Sequence, residues 1–205
     1  MTAAHRYLRV MLYTVAFFVV GVVGSWLTNS QALLADALHF FGDGVPFFLG
    51  WWILRKRWEP RVAGHAEVVI MFFNSAFLGV VGIVMLVSGL LRTMEPVVIE
   101  NSMLWFAVAE VVGNALQLYD AHKLKGAHYH HGTHYTQVAH LFVDLLSSAS
   151  VLVSALLIYF TKFWEADGIC TFMVGVLSLI AAWQCLILAT APRGQVVHGH
   201  FGHHH

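Results

Sequence analysis

Two five-residue stretches place a histidine and an aspartate four positions apart inside long apolar runs. The first is HFFGD, His39 to Asp43, and the second is HLFVD, His140 to Asp144. Positions i and i+4 of a helix lie on one face, about 5–6 Å apart, so each stretch presents a nitrogen donor and an oxygen donor together. If the two helices pack face to face, the four side chains form a tetrahedral two-nitrogen, two-oxygen set of the kind that binds zinc.

The donor types narrow the choice of metal. Zinc accepts histidine nitrogen and aspartate oxygen at roughly 2.0–2.2 Å, whereas copper(I) prefers thiolate or thioether sulfur and magnesium prefers more oxygens and water. Zn²⁺ is therefore the predicted ion, with Co²⁺ or Cd²⁺ less sharply excluded. The competing interpretation is that each pair is only a His–Asp hydrogen bond that joins two helices. The repetition of the same pattern at mid-membrane favours the metal site.

The composition places these pairs in a lipid bilayer. Of the 205 residues, 59% are hydrophobic and only 11% are charged, and the mean hydropathy is +0.71. A soluble domain has about 25% charged residues. The formal net charge is zero, so no basic field indicates a nucleic-acid partner. The chain is predicted to be an all-α, multi-pass integral membrane protein of a plasma (inner) or organelle membrane.

Apolar runs of about 20 residues predict six spanning helices. They cover residues 10–27, 32–54, 67–91, 102–121, 136–160 and 166–190. Nine of the eleven Lys and Arg residues then fall on the side of the two termini, which predicts cytoplasmic termini by the positive-inside rule. Residues 1–192 are assigned to one transmembrane transport domain and residues 193–205 to a short His-rich tail, either native or an expression tag.

The two His–Asp pairs also predict an internal repeat. The second and fifth helices occupy equivalent places in two successive groups of three helices. This spacing favours two parallel three-helix units related by an axis along the membrane normal.

Three further intramembrane polar residues are candidates for supporting roles. Asp36 precedes His39 by three positions, where it can reach the histidine or serve a proton path. Glu110 and Asn114 share one face of the fourth helix. Asn114 is a candidate for orienting a ligand and Glu110 for a proton site. A water-filled opening or interhelical polar contacts would explain the same residues without a role in transport.

Histidine is over-represented, with 14 copies, and many lie in the loop between the fourth and fifth helices. The tract contains His128, His130, His131 and His134. Such a tract collects metal weakly and delivers it to a nearby site. The alternative is a dispensable linker.

At these residues the chain resembles the cation diffusion facilitator family of zinc/proton antiporters. NSQALLADALHFFGD is similar to that family's second-helix signature. GHAEVVIMFFNSAF, VVGNALQL and WEADGICTFMVGVLSL resemble its third, fourth and sixth helices in order. The resemblance covers nearly all of residues 10–190.

The resemblance implies a homodimeric, proton-coupled exporter of divalent metal from the cytoplasm. It implies that His39, Asp43, His140 and Asp144 form the transport site, and that histidine at the first of these positions favours zinc. Most members of that family carry a ferredoxin-like cytoplasmic domain after the sixth helix, whereas here only APRGQVVHGHFGHHH follows. We therefore expect a form without that domain, whose dimer forms through membrane helices.

The ligand chemistry by itself predicts antiport. Metal and proton compete for the same imidazole nitrogen, and histidine changes charge near neutral pH. The chain is accordingly predicted to be a secondary active transporter rather than an enzyme. Two other functions remain open from the residues alone. One is a membrane metal sensor or scaffold that binds without transporting, and the other is a histidine-box membrane metalloenzyme.

Overall fold

A computed structural model of the chain describes the backbone of residues 3–56, 58–123 and 131–190. It describes their side chains too, except those at 3, 60, 61, 67, 131–140 and 188. The described residues form six helices: α1 (Ala3–Thr28), α2 (Gln31–Lys56), α3 (Pro60–Met94), α4 (Met103–His122), α5 (His131–Thr161) and α6 (Glu165–Thr190). The all-helical architecture predicted from the sequence is confirmed, and the described ranges contain no strand.

Five of the six helices are long and apolar enough to cross a membrane, namely all except α4. Four polar side chains account for the exception, because Glu110, Asn114, Gln117 and Asp120 all lie along one buried side of α4. They face neighbouring helices rather than lipid. We treat α4 as the sixth member of the bundle for that reason, since intramembrane polar groups are tolerated where protein surrounds them.

Helix α2 is the centre of the bundle and contacts each of the other five helices. Its spanning segment is the most buried of the candidate spans, at 56% of the window. The buried side of such a helix is where charged side chains are shielded from lipid. This position accounts for the presence of Asp36, His39 and Asp43 on a single helix.

The start of α2 is fixed by side chains from two helices. Ser30 Oγ accepts a hydrogen bond from the backbone N–H of Leu33 at 3.1 Å, which is the interaction that a serine makes as a helix N-cap. Asp167 of α6 accepts hydrogen bonds from the Ser30 hydroxyl at 2.5 Å and from the backbone N–H groups of Gln31 at 3.0 Å and Ala32 at 3.3 Å. Asp167 therefore ties the first turn of α2 to α6.

Helices α3 and α6 form the most extensive pair in the bundle, and glycines let their backbones approach closely. A Cβ added at Gly89 would lie 2.5 Å from the backbone nitrogen of Phe172, and one added at Gly168 would lie 2.6 Å from that of Thr93. Association in lipid relies on such close packing because burial of apolar surface gives no driving force there.

Contacts between turns show that α1 to α6 alternate in direction. Glu100 donates its backbone N–H to the Thr28 carbonyl at 3.2 Å, and Lys162 Nζ donates to Asn101 Oδ1 at 2.6 Å. These contacts gather the α1–α2, α3–α4 and α5–α6 turns at one end of the bundle. Because each group has three helices, this alternation makes α4–α6 run opposite to α1–α3, so the predicted parallel relation between the two groups is wrong. The side of the membrane on which the termini lie remains a prediction.

Candidate metal centre

His39 lies where α2, α5 and α6 meet. Its imidazole is buried, with 1% exposure. Nδ1 lies 3.1 Å from Asp144 Oδ1 on α5, and Nε2 lies 2.6 Å from Ser178 Oγ on α6. The structure therefore brings together one member of each His–Asp pair from the two helices that the sequence pattern selects.

Both ring nitrogens of His39 have a polar partner. Ser178 Oγ lies 2.6 Å from Nε2 and 2.9 Å from the Val174 carbonyl oxygen, and the tautomer of the imidazole sets which of Nε2 and Oγ donates. The other ring nitrogen, Nδ1, faces a carboxylate oxygen, and a hydrogen bond there requires a proton on one of the two atoms. The nitrogen and oxygen that are candidate zinc donors thus hold a proton between them in this state.

Asp43 lies one turn further along α2 and is also buried, with 3% exposure. The carboxylates of Asp43 and Asp144 are both close enough to the Cys185 thiol of α6 to act on it electrostatically. The two carboxylates therefore lie in the same region of the bundle interior, near α6. Pro46 follows within the helix. Proline lacks an N–H, so the carbonyl of Gly42 receives no helical hydrogen bond from that position.

His140 lies on α5, one turn before Asp144, but its side chain is outside the described residues. Among the described side chains, no three His, Cys, Asp or Glu residues converge closely enough to hold a metal ion. His39, Asp43 and Asp144 therefore share a region without forming a closed ligand set, and the proposed fourth ligand is the one whose position is not described.

A hydroxyl group links the other predicted polar residues to this centre. The hydroxyl of Ser148, on α5, hydrogen-bonds the Asp36 carboxylate and receives a hydrogen bond from the Asn114 amide. Asn114 Nδ2 also donates to the backbone carbonyl of Asp144 at 3.4 Å. Asn114 thus contacts the backbone of a candidate ligand, in line with an orienting role, and Asp36 connects α2 to α5 beside it.

Glu110 occupies a notch between α1, α2 and α4. A Cβ added at Gly21 of α1 would overlap its Oε1 and would lie 2.7 Å from the Cβ of Ala37 on α2. Its carboxyl group faces that of Asp36. The absence of a side chain at Gly21 is what makes room for a carboxyl group at this helix crossing.

The polar side of α4 continues towards the end of the bundle that contains the start of α1. Gln117 donates to the hydroxyl of Thr14 at 2.5 Å, and Asp120 pairs with Arg9. These interactions join α1 to α4 by polar contacts over about one turn of each helix. They also satisfy side chains that would otherwise be buried without partners.

Two residues of this centre were not predicted from the sequence, Ser148 and Ser178. Ser148 is four positions after Asp144 and so lies on the same helical face, a spacing that sequence inspection alone can identify. Ser178 lies on a different helix, with no paired acidic or imidazole residue in its own neighbourhood. Only the packing of α6 against α2 brings Ser178 to His39.

Three parts of the predicted site lie outside the description. His128 and His130 of the loop are outside the described residues. His131 and His134 fall within α5, but their side chains are not described, and the His-rich tail at 193–205 is also outside.

Comparison with known proteins decides the family. Residues 8–190 match the model of the cation efflux transmembrane domain. The chain belongs to the cation efflux family. The match spans the whole helical bundle, so the resemblance seen in the four sequence motifs is confirmed. The family model is that of a cation efflux domain and not of a histidine-box metalloenzyme.

Curated relatives of this cation efflux chain are 26–29% identical to it over the aligned residues. It is 29% identical over 190 residues to the zinc transporter ZitB of Escherichia coli (strain K12), covering 89% of this chain and 60% of the relative. It is 26% identical over 207 residues to the proton-coupled zinc antiporter SLC30A8 of Xenopus laevis, covering 84% and 54%. Against the metal cation efflux system protein CzcD of Cupriavidus metallidurans it is 27% identical over 188 residues, covering 88% and 59%. The chain spans between half and three-fifths of the length of these relatives.

Proposed function

We propose that this chain exports a divalent metal ion, foremost Zn²⁺, from the cytoplasm in exchange for protons. Its site is His39 and Asp43 of α2 with His140 and Asp144 of α5. The observation that carries the proposal is the 3.1 Å contact between His39 Nδ1 and Asp144 Oδ1 within a bilayer-spanning bundle. Two relatives named as zinc transporters, one of them proton-coupled, support the same cargo and counter-ion.

The contact explains how zinc and protons exchange. The proton between His39 and Asp144 lies where a metal ion would accept lone pairs from both atoms. Zinc binding displaces that proton because ligands bind the metal in their deprotonated forms. Reprotonation at the opposite face releases the metal. The site is therefore occupied in turn by zinc and by the proton.

Selectivity follows from the donor set. Two imidazoles and two carboxylates suit Zn²⁺, and Co²⁺ or Cd²⁺ is less sharply excluded. The name of the relative CzcD refers to metal cations in general, which is consistent with a secondary range of ions. We expect Zn²⁺ to compete best for transport, followed by Co²⁺ or Cd²⁺, with Mg²⁺ without effect.

The orientation and assembly belong to the same proposal. Nine of eleven Lys and Arg residues on the side of the termini support cytoplasmic termini. The exposed apolar side chains of α1, α3 and α5 face lipid or a second copy, and we propose a homodimer that forms through membrane helices. The histidine tract, which runs from the loop into the start of α5, lies on the cytoplasmic side in this orientation and raises the local zinc concentration through His128, His130, His131 and His134.

The deciding experiment is zinc uptake into proteoliposomes with an imposed pH gradient. Wild type is compared with His140→Ala, and His5→Ala serves as control because His5 is an exposed histidine of α1. We expect pH-driven uptake in wild type and control, and its loss in His140→Ala without loss of insertion. Zinc binding without flux in wild type would favour a sensor or scaffold. Uptake that ignores the pH gradient would contradict antiport.

A further inference from the structure

Glu110 is a buried carboxyl group that the proposed zinc site does not use. Its side chain has 0% exposure, and neither of its oxygens has a hydrogen-bond donor among the described residues. An ionised carboxylate in that position would lack both water and donors, which costs several kcal/mol in a bilayer interior. The protonated, neutral form avoids this cost.

Asp36 is the acidic side chain next to Glu110. The two carboxyl groups face each other across the α2–α4 contact. One oxygen of Asp36 receives the Ser148 hydroxyl, and the other, Oδ1, has no donor among the described residues. A single proton between the two carboxyl groups supplies the missing donor and removes the repulsion of two adjacent negative charges.

We propose that Asp36 and Glu110 form a carboxyl pair that binds one proton, separate from the four zinc ligands, and that zinc binding releases it. The release of the proton by zinc rests on the proposed function, because it requires zinc at His39 and Asp144. The binding of a proton by the pair rests on the geometry of Asp36 and Glu110 alone.

The packing selects a proton over a larger cation. Glu110 Oε1 fits against the bare backbone of Gly21, and the Cβ of Ala37 on α2 approaches the same place. Helices α1 and α2 therefore close directly over the carboxyl group. A metal ion needs several further ligands around it, whereas a proton needs only the two oxygens that already face each other.

The charges around the pair couple it to the zinc site. Among the side chains that the structure describes, the titratable groups that act on it are His39 on α2, Asp144 on α5 and Cys170 on α6. Arg9 and Arg92 form their ion pairs elsewhere, with Asp120 and Asp167. A divalent cation held by His39 and Asp144 adds positive charge beside the pair and favours its ionised form. Zinc and this proton therefore oppose each other, and the coupling is reciprocal.

The first test is the infrared C=O stretch of protonated carboxylic acids in zinc-free protein at neutral pH. Glu110→Gln keeps the size and neutrality of the protonated acid and should abolish one such band. Glu100→Gln is the matched control, because Glu100 is exposed between α3 and α4. Asp36→Asn alters the pair from the other helix, so the test stays decisive if one variant fails to fold. A carboxylic acid band unchanged in both variants overturns the proposal.

The second test counts protons released when zinc is added to weakly buffered, detergent-solubilised protein. We expect wild type and Glu100→Gln to release one more proton per zinc than Glu110→Gln. Wild type, Glu100→Gln and Glu110→Gln could release equal numbers of protons even though the infrared band is assigned to Glu110. Zinc would then not displace the proton of the pair, and the proposed coupling between zinc and this proton would be overturned. If wild type binds no zinc while the band is still lost in Glu110→Gln, the proposed function fails and the proton-binding pair stands.

Discussion

Ser178 Oγ lies 2.6 Å from Nε2 of His39 and 2.9 Å from the Val174 carbonyl oxygen. A serine on α6 therefore holds one ring nitrogen of a histidine on α2, and the other nitrogen, Nδ1, faces Asp144 Oδ1 at 3.1 Å. Outer partners of this kind fix ligand orientation in metal sites.

Ser178→Ala should weaken zinc binding by about 10- to 100-fold, the usual effect of removing such a partner. The ring of His39 loses its partner at Nε2 and is no longer fixed with Nδ1 towards Asp144. Zinc titration of the purified protein measures the change. Thr171→Val is the control, since Thr171 is a buried residue of α6 whose hydroxyl donates to the Asp167 backbone carbonyl of its own helix. Equal affinity in the two variants would contradict the role of Ser178.

Asp167→Ala should destabilise the bundle by about 2 kcal/mol or more, because buried donors left without an acceptor cost about 1–3 kcal/mol. The donors are the Ser30 hydroxyl and the first backbone N–H groups of α2. Thermal unfolding in detergent measures the loss. Glu165→Ala removes a carboxylate from the same first turn of α6 without touching the α2 cap. A melting temperature lowered equally in both variants would show that the cap is not the cause.

Two glycines should respond in opposite directions to the same substitution. Gly168→Ala places a Cβ 2.6 Å from the backbone nitrogen of Thr93, so α3 and α6 must separate and stability falls. Gly64→Ala meets no described atom within 4 Å and gains up to about 1 kcal/mol from higher helix propensity. Thermal unfolding of the two variants, side by side, tests the close α3–α6 packing. Similar melting temperatures would argue against it.

Replacing His128, His130, His131 and His134 together by alanine should raise the KM for zinc several-fold and leave the maximal rate unchanged. A tract that only collects metal changes its local concentration and leaves the chemistry at the site intact. Zinc uptake measured over a range of concentrations separates the two parameters. A fall in the maximal rate at saturating zinc would place these histidines in the transport cycle itself.

The sequence by itself determined the class of the protein and the helices that carry its candidate ligands. Length and hydropathy of the apolar runs are local properties, so six helices were predictable to within a few residues at most ends. Helix periodicity likewise placed Asp43 beside His39 and Asn114 beside Glu110. The order of motifs was sufficient to identify the family that the comparison confirmed. The start of α5, at His131 rather than 136, was missed because its first turns are polar.

Only the tertiary structure decided which side chains from different helices meet. The contacts of His39 with Asp144 and Ser178 depend on how α2 packs against α5 and α6. The approach of Glu110 to Asp36 depends on a glycine of α1, a third helix. Periodicity specifies which face of one helix a residue occupies, but it contains no information on the rotation and register of a neighbouring helix. Those are set by close packing across the whole bundle, and the partners of the buried polar groups follow from them.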